Sequence, residues 1–144
     1  MEWLHYAVDY GIIGLLGVLS FMGLAIAIER HRVYKKINLE SFGDKKILEM
    51  ELTRKLHVIA TIGSNAPYIG LLGTVLGIML TFYSMGQEGM MDSGKIMAGL
   101  SLALKATAIG LLVAIPSVVF YNFLLREVKV LLLQWEIRNE RTGI

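Results

Sequence analysis

Three long stretches almost free of charge constrain this chain more than anything else in it. The first covers residues 10–28 and is closed by Glu29-Arg30-His31-Arg32; the second covers 58–87 without a charge. The third covers 96–125, where Lys105 is the one charged residue. Each exceeds the roughly 18 apolar residues that mark a membrane-spanning helix. Strands do not fit, because no ten-residue alternation appears and three strands cannot close a barrel. The expectation is an all-α integral membrane protein with three transmembrane helices. Composition agrees. Of 144 residues, 55% are hydrophobic and 18% charged, with a mean hydropathy of +0.59, against roughly 25% charged in a soluble chain. One core of this size cannot bury so much apolar surface. A net charge of +2 gives no footprint for nucleic acid. The absence of cysteine excludes disulfides, a thiol nucleophile and a thiolate metal site.

The expected division is an outer N-terminus with transmembrane helix 1 over 1–28, then a basic segment over 29–57. Transmembrane helix 2 follows over 58–86, a short loop over 87–95, transmembrane helix 3 over 96–125 and a helical tail over 126–144. Thirty residues rise ~45 Å against a hydrocarbon core of ~30 Å, so the second and third helices should extend into the cytoplasm. Segment 43–57 is helix-compatible, with Ile47, Leu48, Leu52 and Leu56 as its apolar side.

Lysine and arginine set the orientation. Residues 1–9 carry none and 87–95 carry only Lys95, whereas 29–57 hold Arg30, Arg32, Lys35, Lys36, Lys45, Lys46, Arg54 and Lys55. The N-terminus is therefore expected outside, in the periplasm, with the basic segment and tail in the cytoplasm. Glu2 and Asp9 stand where a signal peptide needs positive charge, so span one is expected to stay attached. Arg30, Arg32, Lys35 and Lys36 are read as cytoplasmic residues in contact with anionic lipid; a docking surface for a cytoplasmic protein is the other reading.

Lipid gives helices no hydrophobic reason to associate, so close packing needs small residues. Pro67, Gly70, Thr74, Gly77 and Thr81 form such a stripe on span two, with Gly73 beside it. Gly99, Ala103, Ala106 or Thr107, Gly110, Ala114 and Ser117 repeat it on span three. Gly70, Gly73, Gly77 and Gly110 are packing residues in this reading. Pro67 and Pro116 are potential kinks, with Ser64 and Asn65 placed to bond a carbonyl freed by Pro67. Thr74 lies eleven residues before Met85 and Thr107 eleven after Ile96, so both sit about 16 Å from the outer helix ends. Either such threonines bond their own helix, or they form a hydrated or partner-facing layer. The pore reading takes Thr74, Thr107, Thr81 and Ser101 as lining.

Lys105 costs at least ~2.5–3.5 kcal/mol if it sits at mid-bilayer. It either snorkels or pairs with a carboxylate, and Glu2, Asp9, Glu88, Asp92 or another chain are the available sources. His5, His31 and His57 have no metal-ligand spacing. No phosphate loop, serine elbow or zincin helix is present. Neither catalysis, a metal nor a cofactor is expected.

The run Ala66-Pro67-Tyr68-Ile69-Gly70-Leu71-Leu72-Gly73-Thr74-Val75-Leu76-Gly77-Ile78-Met79 resembles the signature of the ExbB/TolQ/MotA proton-channel proteins. So does Leu104-Lys105-Ala106-Thr107-Ala108-Ile109-Gly110-Leu111, followed by Ala114-Ile115-Pro116 and Tyr121-Asn122. With Glu29-Arg30 ending span one, the likeness is to a short ExbB over nearly the whole chain. The resemblance implies a pentameric ring whose second and third helices line a pore. Within it stand single-span ExbD-like partners bearing a membrane aspartate. The ring would use the proton motive force of the bacterial inner membrane to drive TonB-dependent import of iron complexes or vitamin B12. A TolQ-like role in envelope integrity and a non-conducting scaffold are the alternatives. Thr74 and Thr107 match the family's pore threonines. The family glutamate five residues before the second threonine is Leu102 here, so the resemblance leaves the proton-accepting acid to the partner.

Overall fold

A computed structural model describes residues 2–89 and 92–141, and these are helical almost throughout. α1 spans Glu2–Lys36, and a single 3-10 turn occupies Leu39–Ser41. α2 spans Lys45–Leu52, α3 spans Leu56–Glu88 and α4 spans Ser93–Arg141. Three of these, α1, α3 and α4, are long and apolar enough to cross a membrane, as the uncharged stretches required.

Local chemistry sets the ends. Asn38 Oδ1 accepts from the Glu40 N–H and Asp44 Oδ1 from the Lys46 N–H, opening the short turn and α2 by side-chain capping. Gly89, at φ +70°, closes α3 by donating its N–H to Met85 O, an ending that only a residue without Cβ adopts at no steric cost. Lys55 makes the corner between α2 and α3 at φ +68° and is the one non-glycine residue with positive φ among those described.

The helices outrun the charge boundaries. α1 does not stop where charge begins at Glu29 but continues to Lys36, because Val33 and Tyr34 keep its packing side apolar. α4 crosses position 125 without a break, since Leu124 and Val128 continue one buried side. At 49 residues it is about 74 Å long. Within 43–57 the helix covers only Lys45–Leu52 and breaks at the Lys55 corner, so that Leu48 and Leu52 on α2 and Leu56 at the start of α3 are buried. Ile47 is not: it is 57% exposed, one residue and so about 100° around α2 from Leu48.

α3 and α4 pack antiparallel along their length, and α1 lies in the groove between them. Leu16, Ile62, Ala66, Val113 and Ala114 form one core. Tyr34, Leu39, Leu48, Leu52, Ile59 and Val128 contribute to a second at the basic end. The outward side of α1 is apolar, with Trp3, Tyr10, Phe21 and Leu24 exposed. This suits a helix whose surroundings are lipid or another chain.

Candidate functional site: the seam between α3 and α4

Glycine decides how closely α3 and α4 approach. A Cβ built at Gly70 would stand 2.6 Å from Ala106 O and 3.1 Å from Gly110 Cα; one at Gly110 would stand 2.6 Å from Ala66 O. These contacts are with backbone, so neither position accepts a larger residue without moving a helix. Gly73 and Gly77 repeat the close approach against Ala106 and Ala103, with built Cβ distances of 2.7 Å and 2.9 Å. Gly70, Gly73, Gly77 and Gly110 thus line the close contact between α3 and α4.

The close approach brings two hydroxyls together. Thr74 Oγ1 and Thr107 Oγ1 are hydrogen-bonded to each other, so the residues share one level. Thr74 Oγ1 also lies 2.9 Å from Ala103 O and 3.3 Å from Gly70 O, while Thr107 Oγ1 is 3.5 Å from Gly70 O. Each hydroxyl has one proton. The shortest contacts are satisfied when Thr107 donates to Thr74 and Thr74 donates across the seam to the Ala103 carbonyl. Thr74 is 7% exposed and Thr107 half-buried. Thr74 lies about 100° around α3 from Gly73, the glycine that abuts Ile12 of α1. The threonine pair therefore occupies the flank of the seam turned away from α1.

The other expected polar residues divide. Thr81 is buried on the same seam and donates to Gly77 O at 2.8 Å; its side chain fills the space left by Gly99. Ser101 does not join the threonines. It is exposed on α4, six residues before Thr107 and about 120° away around the helix. Both prolines sit inside unbroken helices. Ser64 and Asn65 donate to Thr61 O at 3.2 Å and 2.8 Å, not to the Gly63 carbonyl that Pro67 leaves without its helical partner. Lys105 is exposed on α4.

The basic end contains a feature that charge counting missed. Arg32, Lys35 and Lys36 are exposed. Arg30 is 2% exposed, which corrects its reading as a lipid contact. It turns inward because the last carbonyls of α2 lack helical donors: Arg30 Nη1 donates to Glu51 O at 2.8 Å. One turn on, the Tyr34 hydroxyl donates to Leu52 O, and the guanidinium stands 6.0 Å over the Tyr34 ring. Lys55 Nζ reaches Glu29 Oε2 at 3.1 Å. The i, i+4 spacing of Arg30 and Tyr34, in register with Gly23 and Ala27, was the available signal.

Two groups here, both beyond the uncharged stretch 10–28, have shifted pKa values. The hydrogen bond from Lys55 holds the Glu29 carboxyl below its ordinary range, aided by the nearby charges of Lys55 and Arg30. Burial pushes the Tyr34 phenol up to about 12. Further out, His31 Nδ1 lies 3.0 Å from Glu127 Oε1, Lys45 pairs with Glu136, and Trp135 Nε1 donates to Phe42 O at 2.9 Å. α2 and its flanking turns are thereby fastened to both α1 and α4. No group of three or more potential metal ligands occurs among the described residues.

Comparison with known proteins agrees with this architecture. Residues 25–137 match the MotA/TolQ/ExbB proton channel family. The chain is 55% identical over 136 residues to the biopolymer transport protein ExbB of Aquifex aeolicus, covering 94% of this chain and 92% of that protein. It is 53% identical over 130 residues to the putative biopolymer transport protein ExbB-like 2 of Helicobacter pylori, covering 90% and 87%. The ExbB of Neisseria gonorrhoeae is 49% identical over 73 residues, which is 51% of this chain but 33% of that longer protein. An all-helical chain with three spans, a glycine-tight seam and this breadth of identity belongs to the MotA/TolQ/ExbB proton channel family.

Proposed function

We propose that the chain is the ring-forming subunit of a proton-driven motor in the bacterial inner membrane. Its N-terminus is periplasmic and its basic end cytoplasmic, following the lysine and arginine distribution. The ring, pentameric by the family resemblance, surrounds single-span partners that each carry a membrane carboxylate. A TonB-like protein takes up the work for import across the outer membrane.

The observation that carries this reading is the Thr107–Thr74–Ala103 hydrogen-bond chain on the flank turned away from α1. α1 presents an apolar outer side fit for lipid, which leaves the threonine flank to the ring interior. There Thr107 Oγ1 can accept from a protonated partner carboxyl as the chain stands, and can donate to the ionised form by turning its one proton away from Thr74. The chain has no carboxylate within 58–87 or 96–125, so the titrating acid comes from the partner. A dry scaffold is the competing reading, favoured by Thr81 and Ser117, which donate back to their own helices.

The test is proton flux into liposomes under an imposed potential, for this chain alone and co-purified with its one-span partner. Flux that needs the partner and disappears when its aspartate is neutralised supports the motor. Loss of flux in Thr74→Val and Thr107→Val, with assembly intact, locates the path at the hydroxyl pair. A partner complex that is silent even when coupled to its load points to the scaffold.

A further inference from the structure

Lys105 has no hydrogen bond or ion pair among the described residues. It is exposed on α4, roughly 130° around the helix from the side where Ala103, Ala106 and Gly110 pack on α3. Uncharged residues extend two turns beyond it toward the start of α4 and more than five turns the other way. A lysine so placed calls for a counter-charge.

Asp9 is the complementary case. It is half-buried on α1, three residues before Ile12 and seven before Leu16, and thus on the side of α1 that packs on α3. It too has no partner among the described residues. Gly73 relates the two depths. A Cβ built there meets Ile12 Cγ2 at 3.1 Å and Ala106 Cβ at 2.7 Å, so Ile12 and Ala106 share a level. α1 and α4 run in the same direction. Asp9 lies about 4.5 Å and Lys105 about 1.5 Å from that level, both toward the N-terminal ends. The difference of ~3 Å is within the reach of a lysine stem.

Within one chain Lys105 stands one turn before Ile109, at the outer edge of the α1-bearing side of α4 and about 160° around the helix from Thr107, and it forms no ion pair with Asp9 of its own chain. In a closed ring every interface is heterologous, one patch meeting a different patch of the next copy. The free flank of α4 then meets the free flank of the neighbouring α3, with that neighbour's α1 behind it. We infer that Lys105 of one copy forms an ion pair with Asp9 of the adjacent copy, joining neighbouring subunits near the N-terminal end of α1. The inference rests on the ring reading above. It assigns Lys105 to assembly and leaves the proton path to the opposite flank.

The absence of native cysteine allows a direct test. Two differently tagged copies are co-expressed, one Asp9→Cys and the other Lys105→Cys, and treated in membranes with a short bismaleimide. The expected result is a mixed crosslinked dimer that is lost when Lys105→Cys is replaced by Leu112→Cys, two turns deeper. A chain that forms rings of wild-type mass yet gives no Asp9–Lys105 crosslink overturns the pair. A wild-type chain that is monomeric refutes the ring reading instead. Charge exchange supplies the second measurement. Lys105→Glu and Asp9→Lys should each lower the ring-to-monomer ratio in detergent at least tenfold, and the double variant should restore it to within threefold. A double variant no better than the singles, while Lys105→Arg still forms rings, also overturns the inference.

Discussion

Replacing Gly70 by alanine tests the physical account of the seam most directly. The added Cβ would stand 2.6 Å from Ala106 O, 3.1 Å from Gly110 Cα and 3.2 Å from Thr107 Cα, all backbone atoms. Ordinary contact begins near 3.4 Å, so α3 and α4 must part by about 0.8 Å. That displacement would stretch the 2.9 Å bond from Thr74 to Ala103 O to about 3.7 Å, past hydrogen-bond range. Overpacking costs about 1–3 kcal/mol, and the lost bond adds about 1 kcal/mol. Exchanging glycine for alanine inside a helix returns about 1 kcal/mol. The net is about 2 kcal/mol, a factor of about 30 in the folding equilibrium. In detergent, thermal unfolding followed by circular dichroism should show Tm falling by about 6 °C. Gly110→Ala should behave alike, because its Cβ would meet Ala66 O at the same 2.6 Å. Gly14→Ala is the control: nothing lies within 4 Å of a Cβ there, so stability should hold or rise by up to about 1 kcal/mol. Equal or raised Tm in both Gly70→Ala and Gly110→Ala would falsify the claim that backbone contact at these glycines sets the helix spacing.

Arg30→Met removes the charged donor to Glu51 O and should cost about 1.5–3 kcal/mol, seen as faster proteolysis between residues 37 and 55; unchanged protection would mean that Tyr34 and the ties to α4 hold α2 without it. The Glu29–Lys55 contact should be insensitive to pH down to the ordinary carboxyl value of 4.5. A depressed folded pKa makes its contribution complete above that value and lost as pH falls through the folded one, so amide exchange around Lys55 should rise only in acid. Tyr34 works in the opposite sense: with its pKa raised to about 12, the stability linked to its phenol is present below pH 10 and lost as pH climbs toward 12. Difference absorbance of Tyr34→Phe against wild type should assign one late phenolate transition to it, and a transition near 10 would contradict its burial. Thr107→Val should leave the stability read from thermal unfolding within about 1 kcal/mol of wild type, because Thr74 keeps its bond to Ala103 O; a larger loss would mean that Thr107 anchors the seam.

Much of this was legible in the sequence because lipid tolerates so few side chains. Uncharged runs longer than a bilayer leave few alternatives to helices, and glycines at spacings of three and four marked where backbones meet. Thr74 and Thr107 share a level because two antiparallel helices joined by a short loop must match residues at equal distance from it. Charge density misled where tertiary context outweighed composition. Arg30 sits among exposed basic residues, and only the position of α2's carbonyls draws it inward. Ser101 and Thr107 are both polar and close in sequence, but rotation around the helix parts them. The composition changes at 125, and the helical tail expected beyond it is continuous with α4 because Leu124 and Val128, four residues apart, keep one buried side.

The unbroken course of α4 has a mechanical consequence. Between Gly110 and Arg141 it contains no glycine, and it does not change direction through a loop. From Thr107 to Arg138 the arm is about 46 Å long, so a tilt of 5° at the threonine level sweeps its far end through about 4 Å. Trp135, Glu136 and Arg138 hold Phe42, Lys45 and Glu40 from that end. Because α2 and its turns are tied to α1 as well, a tilt of α4 about the threonine level would load those ties, so a small angular change at the seam would be felt as a larger displacement at the basic end.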